Sequence, residues 1–286
     1  MPGRGKWIGV CRCIRKERRF WEGDALFILI YLNDTIISVK MKLITALLSS
    51  FNHENPNFKP TEIYNENWLL KLILHQIAVY GKKPFPLAFN PGSIWFSEAQ
   101  LPTAFKARYR GDPLAEARTN ADGVIGHITI GKFGKTDLEL KPDSSQFTVV
   151  EAKIASQLSS GIRNARYFNQ AARNIACMAE VFRQANINPS TLERVEFILL
   201  APQSAIEKGV FLAQMKLENI YSVVKQRVFE YDGQLDHWYS EWFESTANEI
   251  QISTISWEHV IEYLQEFNSQ SGHALSEFYQ SCLRFN

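Results

Sequence analysis

The stretch FTVVEAK, residues 147–153, begins as a buried strand and ends as something else. Phe147-Thr148-Val149-Val150 is apolar and β-branched, the composition of a strand inside a sheet. Glu151-Ala152-Lys153 then places opposite charges two residues apart, hence on one face of the extended chain. Working outward, TDLEL (136–140) is a second strand-like run, and KPDSS (141–145) between them is rich in turn residues. A tight turn centred near Ser144 predicts an antiparallel hairpin of 137–141 with 147–153. Reflection about that turn sets Asp137 opposite Glu151, with Cβ atoms roughly 5 Å apart. Lys153 shares their face, while Leu138, Leu140, Val150 and Ala152 point the other way.

Two carboxylates held that close repel, and one is driven neutral unless a cation joins them. Hard oxygen donors suit Mg²⁺, which keeps several waters and takes only one or two carboxylates. A neighbouring lysine can orient or help deprotonate a water, so the set fits metal-assisted hydrolysis. On these residues alone, a surface Asp137–Lys153 ion pair without function is the plainer account.

Further out, TEIYNENWLLKLILHQIAVYG (61–81) has Ile63, Leu70, Ile73, Leu74 and Ile77 at helical spacing and a terminal glycine. Residues 82–93 hold three prolines and form a loop, and a short amphipathic helix is expected over 97–109. VIGHITIG, TDLEL and QFTVVEAKI read as strands, residues 162–186 as a helix, and RVEFILLAP as a buried strand. A helix over 203–230, a strand QISTIS (251–256) and a helix over 257–268 complete the order. The expectation is an α/β fold with a central mixed sheet flanked by helices.

Of 286 residues, lysine and arginine exceed aspartate and glutamate by one. No overall basic field advertises nucleic acid, so such a partner must meet a local patch. Cys11, Cys13, Cys177 and Cys282 lack paired spacing, which points away from zinc and disulfide frameworks. The apolar run Ala25–Leu32 is far short of the ~20 residues of a membrane helix. No small-residue cleavage site follows it. The expectation is a cytoplasmic protein with no membrane partner. Residues 1–40 carry a basic cluster and a different composition, and read as an N-terminal extension, either an adornment or a leader before a start at Met41. Residues 41–286 read as the functional domain.

The order helix–strand–strand–strand–helix–strand (αβββαβ), with Asp137 on the second strand and Glu151-x-Lys153 on the third, resembles the PD-(D/E)xK nuclease superfamily over roughly Thr61 to Pro202. The resemblance implies a restriction-endonuclease-like core and a metal-dependent nuclease. It implies Mg²⁺, with Mn²⁺ as substitute, held by Asp137, Glu151 and the Ala152 carbonyl. Lys153 would position water or stabilise transition-state charge. Glu66 on the first helix and Gln170 on the helix after Glu-x-Lys match residues that assist and orient such sites. Pro142-Asp143 spells the family motif, but it lies at the hairpin tip, with seven residues of strand, roughly 23 Å at ~3.3 Å per residue, between Asp143 and the Glu151 end. Asp122 is a weaker candidate, admitted only by an irregular loop.

Arg163, Arg166, Gln170 and Arg173 fall at spacings of three and four, so a helix over 162–186 would line them on one face beside the carboxylates. Such a stripe suits phosphate contacts, DNA being expected before RNA. A solvated charged face is the plainer alternative, and a homodimer is open. The rival class is a non-catalytic nucleic-acid-binding or assembly protein that keeps the fold. Gly134-Lys135-Thr136 lacks the earlier glycine of a phosphate loop. No GxSxG elbow supports a serine hydrolase. Trp238, Tyr239, Trp242 and Phe243 are expected to pack rather than stack on bases.

Overall fold

The computed structural model describes residues 59–81, 85–116, 118–132 and 134–286. Thr61–Asn286 forms one compact unit. The expectations for residues 1–40 and for a start at Met41 lie outside the described residues. No helix among the described residues is long and apolar enough to cross a membrane.

The apolar run Phe147–Val150 lies in the middle strand of a five-stranded mixed sheet, order β1-β2-β5-β6-β7. Its strands are β1 (Ile94–Leu101), β2 (Thr119–Gly126), β5 (Gln146–Ala152), β6 (Arg194–Ala201) and β7 (Gln251–Ser256). All seven residues of β5 are buried. A strand covered on both faces reads as a continuous apolar run rather than an alternating one, which explains FTVV. β5 runs antiparallel to β2 and parallel to β6, and β6 runs parallel to β7. A parallel neighbour requires a crossover, here supplied by a helix between β5 and β6.

Five helices of three turns or more cover the sheet. They are α1 (Glu66–Tyr80), α2 (Gln170–Ala185), α3 (Leu217–Phe229), α4 (Trp257–Phe267) and α5 (Ser269–Phe285). Asn65 caps α1 by accepting from the Trp68 N–H, and Asn169 caps α2 by accepting from the Ala172 N–H, both at 3.0 Å. The sheet divides two apolar clusters. Phe147 and Val149 pack with α2 and α3, whereas Val150 and Ala152 pack with α1, α4 and α5. Trp238 and Phe243 are buried in the first cluster, with Tyr239 and Trp242 packed against it.

Four expectations are corrected. The hairpin of 137–141 with 147–153 does not form. β3 (Ile128–Ile130) and β4 (Leu138–Leu140) instead pair with each other as a separate ribbon. The tight return lies between them, where Gly131 takes a left-handed φ of 81°. Residues 141–145 are a connector: the His127 carbonyl accepts from the Lys141 N–H and the Ser144 hydroxyl, both at 2.9 Å. β5 is thereby free to pair with β2. Residues 94–101 are strand, not the start of a helix over 97–109. The helix expected over 162–186 begins only at Gln170, because 162–165 close a tight turn through reciprocal Ile162–Ala165 backbone bonds. The helix expected over 203–230 is three shorter ones, interrupted at Gly209 with φ 68°.

Candidate active site

Strands β1 and β2 pair along their length except at one rung. Ser97 faces Gly123 and Ala99 faces Ala121, but no pairing joins Glu98 to Asp122 between them. Glu98 takes a left-handed φ of 57°, an uncommon conformation for a residue with a Cβ. On both strands the alternation slips at this rung. Phe96 and Ala99 face the α2 cluster, and so do Val124 and Ala121. That slip gave residues 96–101 their helix-like spacing in sequence. Beside it, Gly123 lies under α1, where an added Cβ would come within 3.1 Å of Leu70 and Leu74.

The β2–β5 ladder runs out at the same place. Its last rung is Gly123 with Val150, so Asp122 stands across from Glu151. The Ala152 N–H, which the next stretch of ladder would have used, donates instead to Asp122 Oδ2 at 2.8 Å. The two strands fork, and a carboxylate occupies the fork.

Glu151 is fully buried there. Its Oε1 accepts from Lys153 Nζ at 2.6 Å and from Gln170 Nε2, and its Oε2 accepts from Asn174 Nδ2 at 3.0 Å. Gln170 and Asn174 are one turn apart on α2, so the crossover helix aims both amides at one carboxylate. The Lys153 backbone is pinned on both sides: its N–H donates to the Leu200 carbonyl and its carbonyl accepts from the Trp257 indole, each at 2.8 Å.

Burial, and then the Asp122 charge, push the Glu151 carboxyl up to about 8 against the pull of Lys153. Burial alone would pull the Lys153 ammonium down. The charges of Glu151, Asp122 and Glu66 outweigh it, and its pKa is raised. Burial and Asp122 also raise Glu98, with Lys71 opposing. Two carboxylates beside one ammonium leave an excess negative charge, which a proton on Glu151 or a cation would relieve.

Among the described residues no group of three or more His, Cys, Asp or Glu side chains is placed to hold a metal ion. The donor set here is two carboxylates and one carbonyl. A strand residue whose N–H faces one edge turns its carbonyl to the same edge, so Ala152 offers its oxygen on the Asp122 side. That set fits Mg²⁺, which retains waters and needs only one or two carboxylates.

Of the residues singled out in sequence, Glu151, Lys153 and Gln170 come together, and Glu66 at the start of α1 acts electrostatically on Lys153. Asp137 does not join them. Its backbone bridges to Gln100, and its carboxylate accepts from the Gly134 N–H in the β3–β4 return. Asp122 takes the position expected of Asp137, and Asp143 is exposed in the 141–145 connector. The arginine stripe is also corrected: Arg163 and Arg166 are exposed in the turn before α2, and only Arg173 is on the helix. Asn174 was missed, although its spacing of four from Gln170 was a usable signal. Compared with protein-family models, curated proteins and solved structures, the chain matches none.

Proposed function

We propose that this chain is a metal-dependent nuclease of the PD-(D/E)xK type, hydrolysing phosphodiester bonds, with DNA the expected substrate. The observation that carries the reading is the convergence of Asp122, Glu151 and Lys153 at the fork of β2 and β5. The element order α1, β1, β2, β5, α2, β6 supports a restriction-endonuclease-like core once the β3–β4 ribbon is taken as an insertion.

Asp122, Glu151 and the Ala152 carbonyl would hold Mg²⁺ or Mn²⁺. Bound there, the ion supplies Lewis-acid activation of water and neutralises phosphoryl charge. Lys153 acts as an ammonium, since its neighbours hold its proton. Its role in this reading is to place a fixed positive charge where negative charge grows on the phosphoryl oxygens. Gln170 and Asn174 fix the Glu151 carboxylate in its rotamer, and Glu66 helps to keep Lys153 charged.

The rival is a non-catalytic nucleic-acid-binding or assembly protein. What favours it is that both Glu151 oxygens already accept hydrogen bonds. An assay of plasmid, linear duplex, single-stranded DNA and RNA with Mg²⁺ or Mn²⁺ separates the two. Cleavage should appear with the ion, vanish with EDTA, and fall by on the order of 10²-fold or more in Lys153→Ala. A folded protein that cuts none of the four substrates rejects the nuclease reading.

A further inference from the structure

A cleft of about 360 Å³ opens between the start of β2 and the turn that precedes α2. Arg118, Arg163 and Arg173 line it, together with Thr119, Asn164 and Glu116. Three guanidinium groups face one carboxylate. That carboxylate is already matched, because Glu116 accepts from Arg227 Nε and from the Thr103 hydroxyl, both at 3.2 Å. The lining therefore carries unbalanced positive charge. Arg118 donates to Gln100, yet a guanidinium has five N–H groups and keeps others to offer. Arg173 Nε is buried without a hydrogen-bond partner. A buried donor left unmade costs more than a typical hydrogen bond gains, so this one asks for an acceptor.

The walls are held in place. Gly161 lets the turn close, because a Cβ there would lie 2.0 Å from the Arg166 carbonyl oxygen. Asn164 Nδ2 donates to the Ala115 carbonyl at 2.7 Å, tying the turn to the opposite wall. The cleft and the carboxylate fork share β2 and α2. Thr119 precedes Asp122 by three residues of β2, about 10 Å of strand. Arg173 follows Gln170 by three residues of α2, so the two are neighbours on the helix surface.

We propose that this cleft binds a phosphate group of the substrate strand and so sets where the strand lies across the carboxylate pair. Arginine forks match phosphate oxygens in geometry as well as charge. The distance from Asp122 corresponds to a few nucleotides at about 3.4 Å each. Assigning the phosphate to a polynucleotide rests on the nuclease reading; the anion chemistry of the cleft does not.

The first test is calorimetry of the full chain with inorganic phosphate in EDTA. Wild type should bind saturably, and Arg163→Ala and Arg173→Gln should each bind roughly tenfold more weakly, the effect of one hydrogen bond to a charged group. Arg163 is exposed, so its variant reports even if the Arg173 variant misfolds. Arg166→Ala, exposed on the same turn but outside the cleft, should change phosphate binding less. Absence of saturable binding, or wild-type affinity in Arg163→Ala, overturns the proposal. Oligonucleotides with a 5′-phosphate, a 3′-phosphate or neither then identify the source. A penalty from Arg163→Ala confined to one phosphorylated end assigns a terminal phosphate, and an equal penalty on all three assigns an internal one. If phosphate binds while no oligonucleotide does, the cleft stands as a site for a small phosphorylated ligand and only the nuclease reading falls.

Discussion

Asp122 and Ala152 are joined by a side-chain-to-backbone hydrogen bond of 2.8 Å where two strands would otherwise exchange ladder bonds. This bond puts a carboxylate beside the buried Glu151, and the first prediction follows from it. In a site with only two carboxylates, losing one leaves too few ligands for an ion that dehydrates reluctantly. Asp122→Asn should abolish metal-dependent cleavage and weaken Mg²⁺ binding measured by calorimetry. Asp137→Asn should keep cleavage within a few-fold of wild type, because that residue belongs to the β3–β4 return. The reverse pattern would show that Asp137 reaches the site in the active form.

Lys153→Ala should lower the cleavage rate by on the order of 10²-fold or more, as for loss of one transition-state stabiliser. The protein should stay folded by circular dichroism, because Glu151 keeps its proton up to about pH 8 and so leaves no unpaired buried charge at neutral pH when its ammonium partner is gone. A variant cleaving at the wild-type rate would remove Lys153 from the mechanism.

Glu151 makes stability pH-dependent in a direction opposite to that of most carboxylates. Unfolded, it loses its proton near 4.5; folded, it keeps it to about 8. Between those values the folded state holds the extra proton, so stability falls as pH rises, by an amount on the order of a few kcal/mol. The melting temperature of metal-free protein should therefore drop across that window, and Glu151→Gln should flatten the drop. Added Mg²⁺ should raise the melting temperature more above about pH 8 than below about pH 5, since metal and proton compete. An identical profile in wild type and Glu151→Gln would refute the assignment.

Asn174→Ala should destabilise the protein by about 1–3 kcal/mol in urea unfolding, because it strips a donor from a buried carboxylate. It should also lower activity less than Lys153→Ala, since Asn174 holds Glu151 rather than meeting the phosphate. A neutral effect on stability would mean that water or a shifted Gln170 replaces the amide.

The α/β class, strands β5 and β6 and the major helices were legible because β5 and β6 are long apolar runs and those helices keep their spacing, whereas β1 was read as helix and β4 was read into the main sheet. The chemistry of Glu151, Lys153 and Gln170 was legible for a related reason: two of them share one strand and the third follows on the next helix. The partner carboxylate was misassigned because a turn between β4 and β5 looked like a hairpin return. Nothing in KPDSS tells a connector from a hairpin turn. The decision rests on His127, 14 residues upstream of Lys141, whose carbonyl seizes both ends of that loop. Asp122 was visible only as a weaker candidate, since the slip opposite Glu98 breaks the period-two pattern by which a strand is recognised.

The fork also makes the Ala152 amide a reporter. Residues 147–150 of β5 pair with the β2 backbone, whereas this N–H ends on a carboxylate oxygen. Its proton chemical shift and its hydrogen-exchange rate will follow what the Asp122 carboxylate meets. A single resonance in a ¹⁵N-labelled sample can thus register a proton, a cation or a phosphate arriving at the site, before any bond in a substrate is cut.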